Sequence, residues 1–470
     1  MFKNRSIKTL ASLAVLASSV GVVASVSNGA ASAATSSNCA TSDLSKVTSP
    51  VHITYWESTA GDNLKAMKAL VAAYNASQHK VVVTDVNQTG GYTDTWNAYT
   101  LSGGSGANVF MDDMNNTQAH VDSRLTTPIA DCVSAAKFST KTYLQKTIVQ
   151  QTIGGKLQAM PYSASVPVLY YNQQAFTAAG IKKPPTTIDE MAADAHLLTV
   201  KGATFSPQKY SDGMSLKNDP WWLELWSAMG KTYYVDHQNG RAGRATSVSF
   251  DNARNVSLLT KLQNMVKSSD AKSYSRDGAG LAAYNNLFAI SGDKSGMTID
   301  TSAALGTIQS YLPLFKNVTL GVAPLPRLLA SDNGGLQPGG NALSLSSKNS
   351  ALENAAAFNF ISYLESATNL ASWDASTGYV PITTDAAKAK AISTLWKKKP
   401  YYKVAYDQIN TGGASNATVG PALGDYYQVN TDVANSLNSL LTNTSVNPAT
   451  AISQAAATAN GHISSYNSSL

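Results

Sequence analysis

The stretch Met160-Pro-Tyr-Ser-Ala-Ser-Val-Pro-Val-Leu-Tyr-Tyr-Asn172 joins small polar residues to a short apolar run, which leads into a helix that stops at Gly180. An apolar run of this length is typical of a buried strand. Pro161 and Pro167 cannot donate to a continuous ladder, so neither suits the middle of one uninterrupted central strand. We therefore expect the chain to change pairing partners between the two prolines. Such a change is typical of a crossing between two lobes.

The chain before this stretch has the pattern of a β-α-β unit. Val51–Trp56 and Val81–Val86 are strand-like, and Asp62–Asn75 places apolar residues on one helical face. A third strand is predicted near Ala107–Met111. Because such units have parallel strands joined by right-handed crossovers, an α/β fold is predicted. The middle third of the chain has a mainly helical pattern.

Two later segments share the character of the opening stretch. Gly296–Ser302 is a short strand running into small polar residues, and Gly339–Leu345 is a glycine turn that feeds another strand. Three crossings predict two lobes. The predicted limits are a signal peptide at 1–34, a flexible leader at 35–49, lobe 1 at 50–165 plus 299–341, and lobe 2 at 166–298 plus 342–470.

The first residues have the features of a secretory signal peptide. Lys3, Arg5 and Lys8 precede an apolar stretch, and Ala31-Ser-Ala33 predicts cleavage after Ala33 or Ala34. An uncleaved anchor is the alternative, but the stretch is at the short end for a span of ~20 residues. The residues around Cys39 lack a Leu-x-x-Cys lipobox, so the mode of attachment to the envelope stays open.

Composition limits the classes of function. Cys39 and Cys132 are the two cysteines, and in an exported chain we expect them to form a disulfide; two buried thiols are the alternative. The net charge of +6 includes the leader cations, and 14% of residues are charged, against a usual ~25%. Nothing in this balance indicates nucleic-acid binding, and the lysine run at 397–399 is typical of a solvated helix end.

Catalytic signatures are missing from the sequence. There is no phosphate-binding loop, nucleophile elbow or zinc-binding helix motif, and the six histidines are widely spaced. No cofactor and no metal site are expected. Glu57 with Asp112 or Asp113 could form the carboxylate pair of a glycosidase. All three follow predicted strands, where α/β folds collect ligand-binding groups, so we favour binding over catalysis.

The opening stretch resembles the crossover of ABC-transporter extracellular solute-binding proteins of the sugar and glycerol-3-phosphate type, which are maltose-binding-protein-like. Ser376-Thr-Gly-Tyr-Val-Pro-Ile-Thr383 resembles the family's Thr-Gly-Tyr segment, and Tyr55-Trp-Glu-Ser58 its mature start. The resemblance covers roughly residues 51–465. It implies a two-lobed type II periplasmic-binding-protein-like fold with three interlobe crossings. It also implies an exported monomer that closes on a small-molecule carbohydrate and delivers it to ABC permease subunits.

Sugars are bound by planar polar groups and by aromatic faces. Residues of both kinds are predicted to line the cleft: Trp56, Glu57, Asp112, Asp113, Asn115, Ser163, Ser165, Trp221, Trp222, Ser302, Gly340, Asn341, Tyr379 and Asp425. For the tryptophans, packing in the core is the alternative to ligand contact, because tryptophans at helical spacing are usually core residues. One of Trp221 and Trp222 is expected to face the ligand.

The substrate does not follow from the resemblance. The glycerol-phosphate branch has an arginine in a Gly-x-Arg-Leu-Gly segment, where this chain has Gly420-Pro-Ala-Leu-Gly424. Ala422 cannot neutralise a phosphate, so a neutral mono- or oligosaccharide is expected. The alternatives are a glycerol-phosphate or glycerophosphodiester ligand, a secreted glycoside hydrolase and a sensory binding protein.

Overall fold

The structure is a computed structural model that describes residues 38–202, 212–275, 285–291, 294–314 and 318–470. The predicted signal peptide with its cleavage position, and the start of the leader, lie outside the described residues. Within the described part of the chain, no helix is long and apolar enough to cross a membrane.

The strands in chain order are β1 (Val51–Glu57), β2 (Val81–Asn87), β3 (Val109–Asp113), β4 (Thr126–Thr127), β5 (Thr152–Ile153), β6 (Lys156–Leu157), β7 (Met160–Ser165), β8 (Pro167–Asn172), β9 (Asp212–Asn218), β10 (Ala271–Ser275), β11 (Ser295–Thr301), β12 (Leu320–Pro324) and β13 (Gly339–Ser346).

The helices are α1 (Thr41–Leu44), α2 (Gly61–Ser77), α3 (Tyr92–Leu101), α4 (Thr117–Ser123), α5 (Ala130–Ala135), α6 (Gln145–Gln150), α7 (Gln173–Ala179), α8 (Ile188–Gly202), α9 (Trp221–Met229), α10 (Asp236–Gly240), α11 (Ala253–Lys267), α12 (Asn285–Ser291), α13 (Leu305–Tyr311), α14 (Ala351–Leu364), α15 (Ala367–Thr377), α16 (Thr384–Lys388), α17 (Lys390–Lys398), α18 (Lys403–Ile409), α19 (Tyr426–Thr442) and α20 (Pro448–Ser468). Within α10, three residues have left-handed backbone angles.

Two separate sheets form the framework, one in each lobe. The first has the strand order β2-β1-β3-β13-β4, and β7 also pairs with β13. The second has the order β10-β9-β11-β8-β12. In each sheet parallel pairs, such as β1 with β2 and β9 with β10, are joined to antiparallel neighbours. The predicted α/β, two-lobed class is confirmed.

The opening stretch passes from one sheet to the other at Val166. β7 pairs with β13 of the first sheet, whereas β8 pairs with β11 and β12 of the second. The register of β7 against β13 shifts between Asn341 and Ala342, opposite Pro161, and Pro167 is the first residue of β8. A bulge and a strand start are the positions that a sheet allows to proline. The predicted change of partners is therefore confirmed.

The other two passages also connect the sheets. β11 ends at Thr301, and the next residue, Ser302, is bonded to the first passage: its backbone N–H donates to the Val166 carbonyl at 2.9 Å. The third passage runs from β12 of the second sheet to β13 of the first. β13 begins close to β7, and Gly340 has φ +121°. A Cβ at this position would lie 2.1 Å from the Ser163 carbonyl oxygen, so the approach requires glycine.

The pairing of β13 corrects one expected lobe boundary. A limit between 341 and 342 would divide β13, but residues on both sides of it pair with β3 and β7 in the first sheet. The following helix, α14, packs on β1 and α2 of the same lobe. The other domain limits stay predictions.

The middle third of the chain contains more strand than its pattern indicates. β9 and β10 pair in parallel in the second sheet, although the sequence Asp-Gly-Met-Ser-Leu-Lys-Asn of β9 shows little alternation. All residues of β9 after Asp212 are buried, because helices cover this sheet. A strand buried on both faces loses the two-residue period by which a strand is recognised.

The predicted disulfide is present. Cys39 and Cys132 are bonded, with their Cα atoms 5.1 Å apart. The bridge ties the segment before α1 to α5, and both cysteines are buried among residues that pack against α14. The N-terminal end of the described chain is thereby fixed to the first lobe.

Candidate ligand-binding site

A cavity of about 400 Å³ lies where strands of both sheets end. The ends of β3, β7, β9 and β11, the first residues of β13, and helices α9 and α19 border it. Its lining consists of Thr93, Asp113, Asn115, Ser165, Lys217, Asp219, Trp221, Trp222, Asp300, Thr301, Gly339, Gly340, Tyr426, Tyr427, Asn430, Thr431, Ala434 and Asn435. Strand ends are where open α/β sheets place ligands, and the volume suits a small molecule.

The charged groups of the cavity come mainly from the second sheet. The Lys217 Nζ lies 3.4 Å from both carboxylate oxygens of Asp300 and 3.9 Å from an oxygen of Asp219. Burial raises the pKa of Asp300, and the neighbouring Lys217 opposes this shift. With Asp113 on the opposite side, the described lining holds three aspartates and one lysine. An anionic ligand would meet an unfavourable electrostatic potential in such a cavity.

The last two residues of β3 are aspartates whose side chains point to opposite faces of the strand. Asp113 lines the cavity and accepts a hydrogen bond from the backbone N–H of Asn115 at 2.9 Å. Asp112 points to the other face and is fully buried. It accepts from the Tyr427 hydroxyl at 2.6 Å and contacts His120 Nε2 at 2.7 Å. Because side chains alternate along a strand, Asp113 faces the cavity and Asp112 supports its wall.

A buried carboxyl group connects the cavity with the third passage. Glu224 on α9 is buried, and its burial raises the pKa to about 8. It accepts hydrogen bonds from the Tyr426 hydroxyl at 2.9 Å and from the side-chain amide of Gln337. Asn115 of the first lobe donates to the same Tyr426 hydroxyl at 3.1 Å, and Gln150 donates to Asn115 at 2.8 Å. The network thus joins both lobes and the passage between them.

Aromatic rings from α9 form one side of the cavity. Trp221 and Trp222 are stacked, with ring centroids 6.2 Å apart. Trp222 is buried and donates from its indole N–H to the Lys217 carbonyl at 2.8 Å. Trp221 is half-buried, and its indole N–H has no partner among the described residues. Its ring packs on Gly339, where a Cβ would come within 2.6 Å. Trp226 lies in the core instead.

Of the predicted site residues, the cavity contains Asp113, Asn115, Ser165, Trp221, Trp222 and Gly340. The sequence interpretation missed lining residues on α19 and at the ends of β9 and β11: Lys217, Asp219, Asp300, Thr301, Tyr426, Tyr427 and Asn430. Asp300 lies within the second passage, Gly296–Ser302, and Tyr426 directly follows Asp425. Their positions in the sequence could therefore have indicated that both lie near the cavity. Lys217 offered none, because its strand was not recognised.

Trp56 and Glu57 lie outside the cavity lining, which corrects their expected position. Glu57 is fully buried and accepts from the backbone N–H of Thr59 at 2.6 Å and from the Asn87 amide at 2.7 Å. Burial raises the pKa of Glu57, and these hydrogen bonds oppose the shift. The Trp56 ring packs edge-on against Tyr99, with centroids 6.4 Å apart. Both side chains serve the interior of the first lobe.

The residues predicted at the crossings support the cavity from behind. Ser163 accepts a hydrogen bond from the Trp373 indole at 2.8 Å, and Tyr379 stacks on the same indole at 5.9 Å. The Asn341 amide donates to the Tyr92 hydroxyl at 3.0 Å. The backbone N–H of Ser302 donates to the Val166 carbonyl of the first passage. These residues, like Asp112, are not part of the cavity lining, and each of them contacts a neighbouring element.

Two sheets joined by three passages, with a polar and aromatic cavity at the strand ends between them, define a two-lobed solute-binding protein. Residues 69–403 match the sequence model of the bacterial extracellular solute-binding proteins. The chain belongs to this family. Within the described residues, no cluster of three or more histidine, cysteine or acidic side chains could hold a metal ion.

The chain is similar to curated proteins of the same kind. It is 27% identical over 292 residues to the sn-glycerol-3-phosphate-binding periplasmic protein UgpB of Yersinia pestis, covering 61% of this chain and 63% of that protein. UgpB of Pectobacterium atrosepticum is 27% identical over 298 residues, covering 61% and 62%. The match therefore spans less than two thirds of the length of these relatives.

Solved structures establish the same fold. UgpB of Mycobacterium tuberculosis in complex with glycerophosphocholine superposes with a TM-score of 0.72 at 17% identity, covering 89% of this chain and 99% of that one. The GacH receptor of Streptomyces glaucescens, solved unliganded and with acarbose, gives a TM-score of 0.70 at 18% identity, covering 87% and 97%.

Proposed function

We propose that this protein captures a neutral carbohydrate outside the cytoplasmic membrane by closure of its lobes and delivers it to an ABC importer. The observation that carries this proposal is the lining of the cavity between the lobes. Trp221 offers a half-buried aromatic face, and the lining residues Asp113 and Asn435 carry planar polar groups. These groups are the ones that recognise the faces and hydroxyls of a sugar. The acarbose complex of the similar GacH receptor supports a saccharide.

A phosphorylated ligand is the second candidate, because the curated relatives are named for glycerol-3-phosphate. The charges of the cavity speak against it. Lys217 is already paired with Asp300, and the described lining contains no arginine. Ala422 is 4% exposed and lies outside the lining. The nearby Arg241 donates to backbone carbonyls, including Gly420 at 2.6 Å, so it is committed to the framework.

We propose that the protein binds its ligand and does not catalyse a reaction on it. The glycosidase pair considered from the sequence requires Glu57, together with Asp112 or Asp113, to face a substrate, but Glu57 is buried and both of its oxygens are bonded. The chain is proposed to work as an exported monomer with permease subunits. A sensory binding protein would use the same cleft. Genes for two permeases beside this gene would support import, and a histidine kinase gene would support sensing.

A thermal-shift screen of sugars and glycerol phosphodiesters tests the proposal. A ligand at 100 times its Kd adds about 2.7 kcal/mol to the free energy of unfolding, so a true ligand is visible. We expect neutral saccharides to stabilise the protein and glycerol-3-phosphate to leave it unchanged. Trp221→Ala should weaken binding by about ten-fold or more, the scale of a lost aromatic contact with its buried area.

The matched control is Trp396→Ala. Trp396 is a half-buried tryptophan on α17 that packs on Tyr406 and lines no part of the cavity. Equal affinities of the Trp221→Ala and Trp396→Ala variants would remove the aromatic wall from the site. Steady turnover of labelled oligosaccharides would contradict the whole proposal in favour of a hydrolase, and stabilisation by glycerol-3-phosphate alone would favour the second candidate.

A further inference from the structure

A second cavity, of about 450 Å³, adjoins the first. Thr93, Tyr427 and Thr431 line both cavities, so the two cavities are neighbours that share these residues. The second cavity extends between α3 and α4 of the first lobe and α19 and α20 of the second. A ligand that spans these shared residues would reach both cavities while staying at the boundary between the lobes.

Trp96 on α3 provides an aromatic face in the second cavity. Its ring lies 4.6 Å from the His120 ring and 6.1 Å from the Phe110 ring, measured between centroids, with interplanar angles of 34° and 30°. The indole is half-buried, so these neighbours fix its orientation while part of it borders the cavity. A tryptophan held in this way has little conformational entropy to lose on binding.

The same framework holds the border between the cavities. His120 Nε2 contacts Asp112 at 2.7 Å, and Asp112 accepts from the Tyr427 hydroxyl at 2.6 Å. Trp96, on one side, and Tyr427, at the junction, are thus positioned through the same buried aspartate. Two aromatic side chains on one rigid support are suited to successive rings of one chain molecule.

Polar groups border the second cavity as they border the first. Asn97 and Gln428 are exposed amides at its edge, and Asp425 is half-buried with no hydrogen bond to its carboxyl group among the described residues. Asp122 is different: it accepts from Arg244 at 3.1 Å and from the Tyr466 hydroxyl at 3.2 Å. The Gln428 amide also donates to Asp432 at 3.2 Å. The lining thus presents the Asn97 amide and the Asp425 carboxyl group to a ligand, which suit hydroxyl groups and disfavour an anion.

We propose that the second cavity is a further saccharide subsite, so that the ligand is an oligosaccharide whose distal ring lies on Trp96 while its proximal rings occupy the first cavity. This inference rests on the proposed carbohydrate function and adds the length of the ligand to it. It also gives Asp425, predicted from the sequence to contact a hydroxyl, a place in the second subsite.

Calorimetric titration with two oligomer series tests this subsite. The probes are α-1,4-linked and β-1,4-linked glucose oligomers of two to six rings. The wild-type protein should bind the longer members of one series about ten-fold more tightly than the shorter ones. Trp96→Ala should abolish this gain and leave the affinity for the short members unchanged, and Trp396→Ala should behave like the wild type.

A second variant guards against a folding defect in Trp96→Ala, since that ring also packs on Phe110. Asn97→Arg places a long side chain into the second cavity from an exposed position and should also remove the length dependence. The inference is overturned if both variants keep the wild-type affinity at every length, or if Trp96→Ala weakens short and long oligomers equally. Failure of every oligomer of both series to bind the wild type would overturn the inference for glucose oligomers, whereas failure of the whole sugar screen described above would contradict the carbohydrate function itself.

Discussion

The substitution Glu224→Gln should make the stability of the protein less dependent on pH. Burial raises the pKa of Glu224 from 4.5 to about 8. Folding therefore favours the protonated form. This stabilisation is fully present below the unfolded-state pKa and is lost as the pH rises through the folded-state value. Each pH unit in this window costs about 1.4 kcal/mol, so the loss between pH 5 and pH 8 is on the order of 4 kcal/mol.

Glutamine keeps the size of the side chain and can accept through its carbonyl oxygen from one of the two donors, Tyr426 and Gln337, but its amide nitrogen cannot accept from the other, and the side chain does not titrate. Urea unfolding at pH 5, 6, 7 and 8 measures the effect as the difference between wild type and variant. Other buried carboxyl groups contribute equally to both proteins and cancel. Asp251→Asn, at an exposed position, is the control and should not change the slope. Identical pH profiles of Glu224→Gln and wild type would refute the assignment of a raised pKa to this group.

Three further outcomes are expected. Gly340→Ala should destabilise the protein by about 3 kcal/mol or more in urea unfolding, since φ is +121° and the Cβ would meet the Ser163 carbonyl. Gly461→Ala, with open space around it in α20, should instead stabilise by about 0.5–1 kcal/mol; equal effects of the two would contradict the close approach. Cys39→Ser opens a loop with a sequence separation of 93 and should cost up to about 4–5 kcal/mol in a thermal melt; an unchanged Tm would deny the bridge a stabilising role. Asp113→Asn should weaken sugar binding in calorimetry while the unfolding midpoint stays constant, and an unchanged Kd would remove this side chain from the site.

Local chain chemistry explains which parts of the fold could be predicted. Pro161 and Pro167 each exclude a central ladder position, and this single constraint located the first passage between the sheets. The disulfide could be predicted because the chain has two cysteines and its N-terminus has the pattern of an exported protein. β9 could not be found in the same way, because a strand covered on both faces carries no alternating pattern. Tertiary burial decided its conformation.

The residues that line the cavity could be anticipated only in part, for a related reason. The end of a strand locates a ligand-binding edge. Which of Asp112 and Asp113 faces the cavity depends on how the side chains of β3 alternate, and a shift of the strand by one residue would exchange the two faces. Residues of α19 could not be placed, because they reach the cavity only after the chain has returned to it near its C-terminus. Glu57 lies outside the cavity lining for another reason: Thr59 and Asn87 donate hydrogen bonds to its carboxylate oxygens within the first lobe.

The charge distribution explains why likeness to a glycerol-phosphate-binding protein does not fix the ligand. A phosphate requires donors or cations that are not already compensated. Here Lys217 lies between Asp300 and Asp219, and Arg241 is consumed by backbone carbonyls of the framework. Restoring an arginine at Ala422 would not by itself create a phosphate site, because this residue is buried outside the cavity lining. On the proposed function, a change from a neutral to an anionic ligand would require removal of the carboxyl groups around Lys217, so the proposed specificity depends on the second sheet as much as on the segments that the family shares.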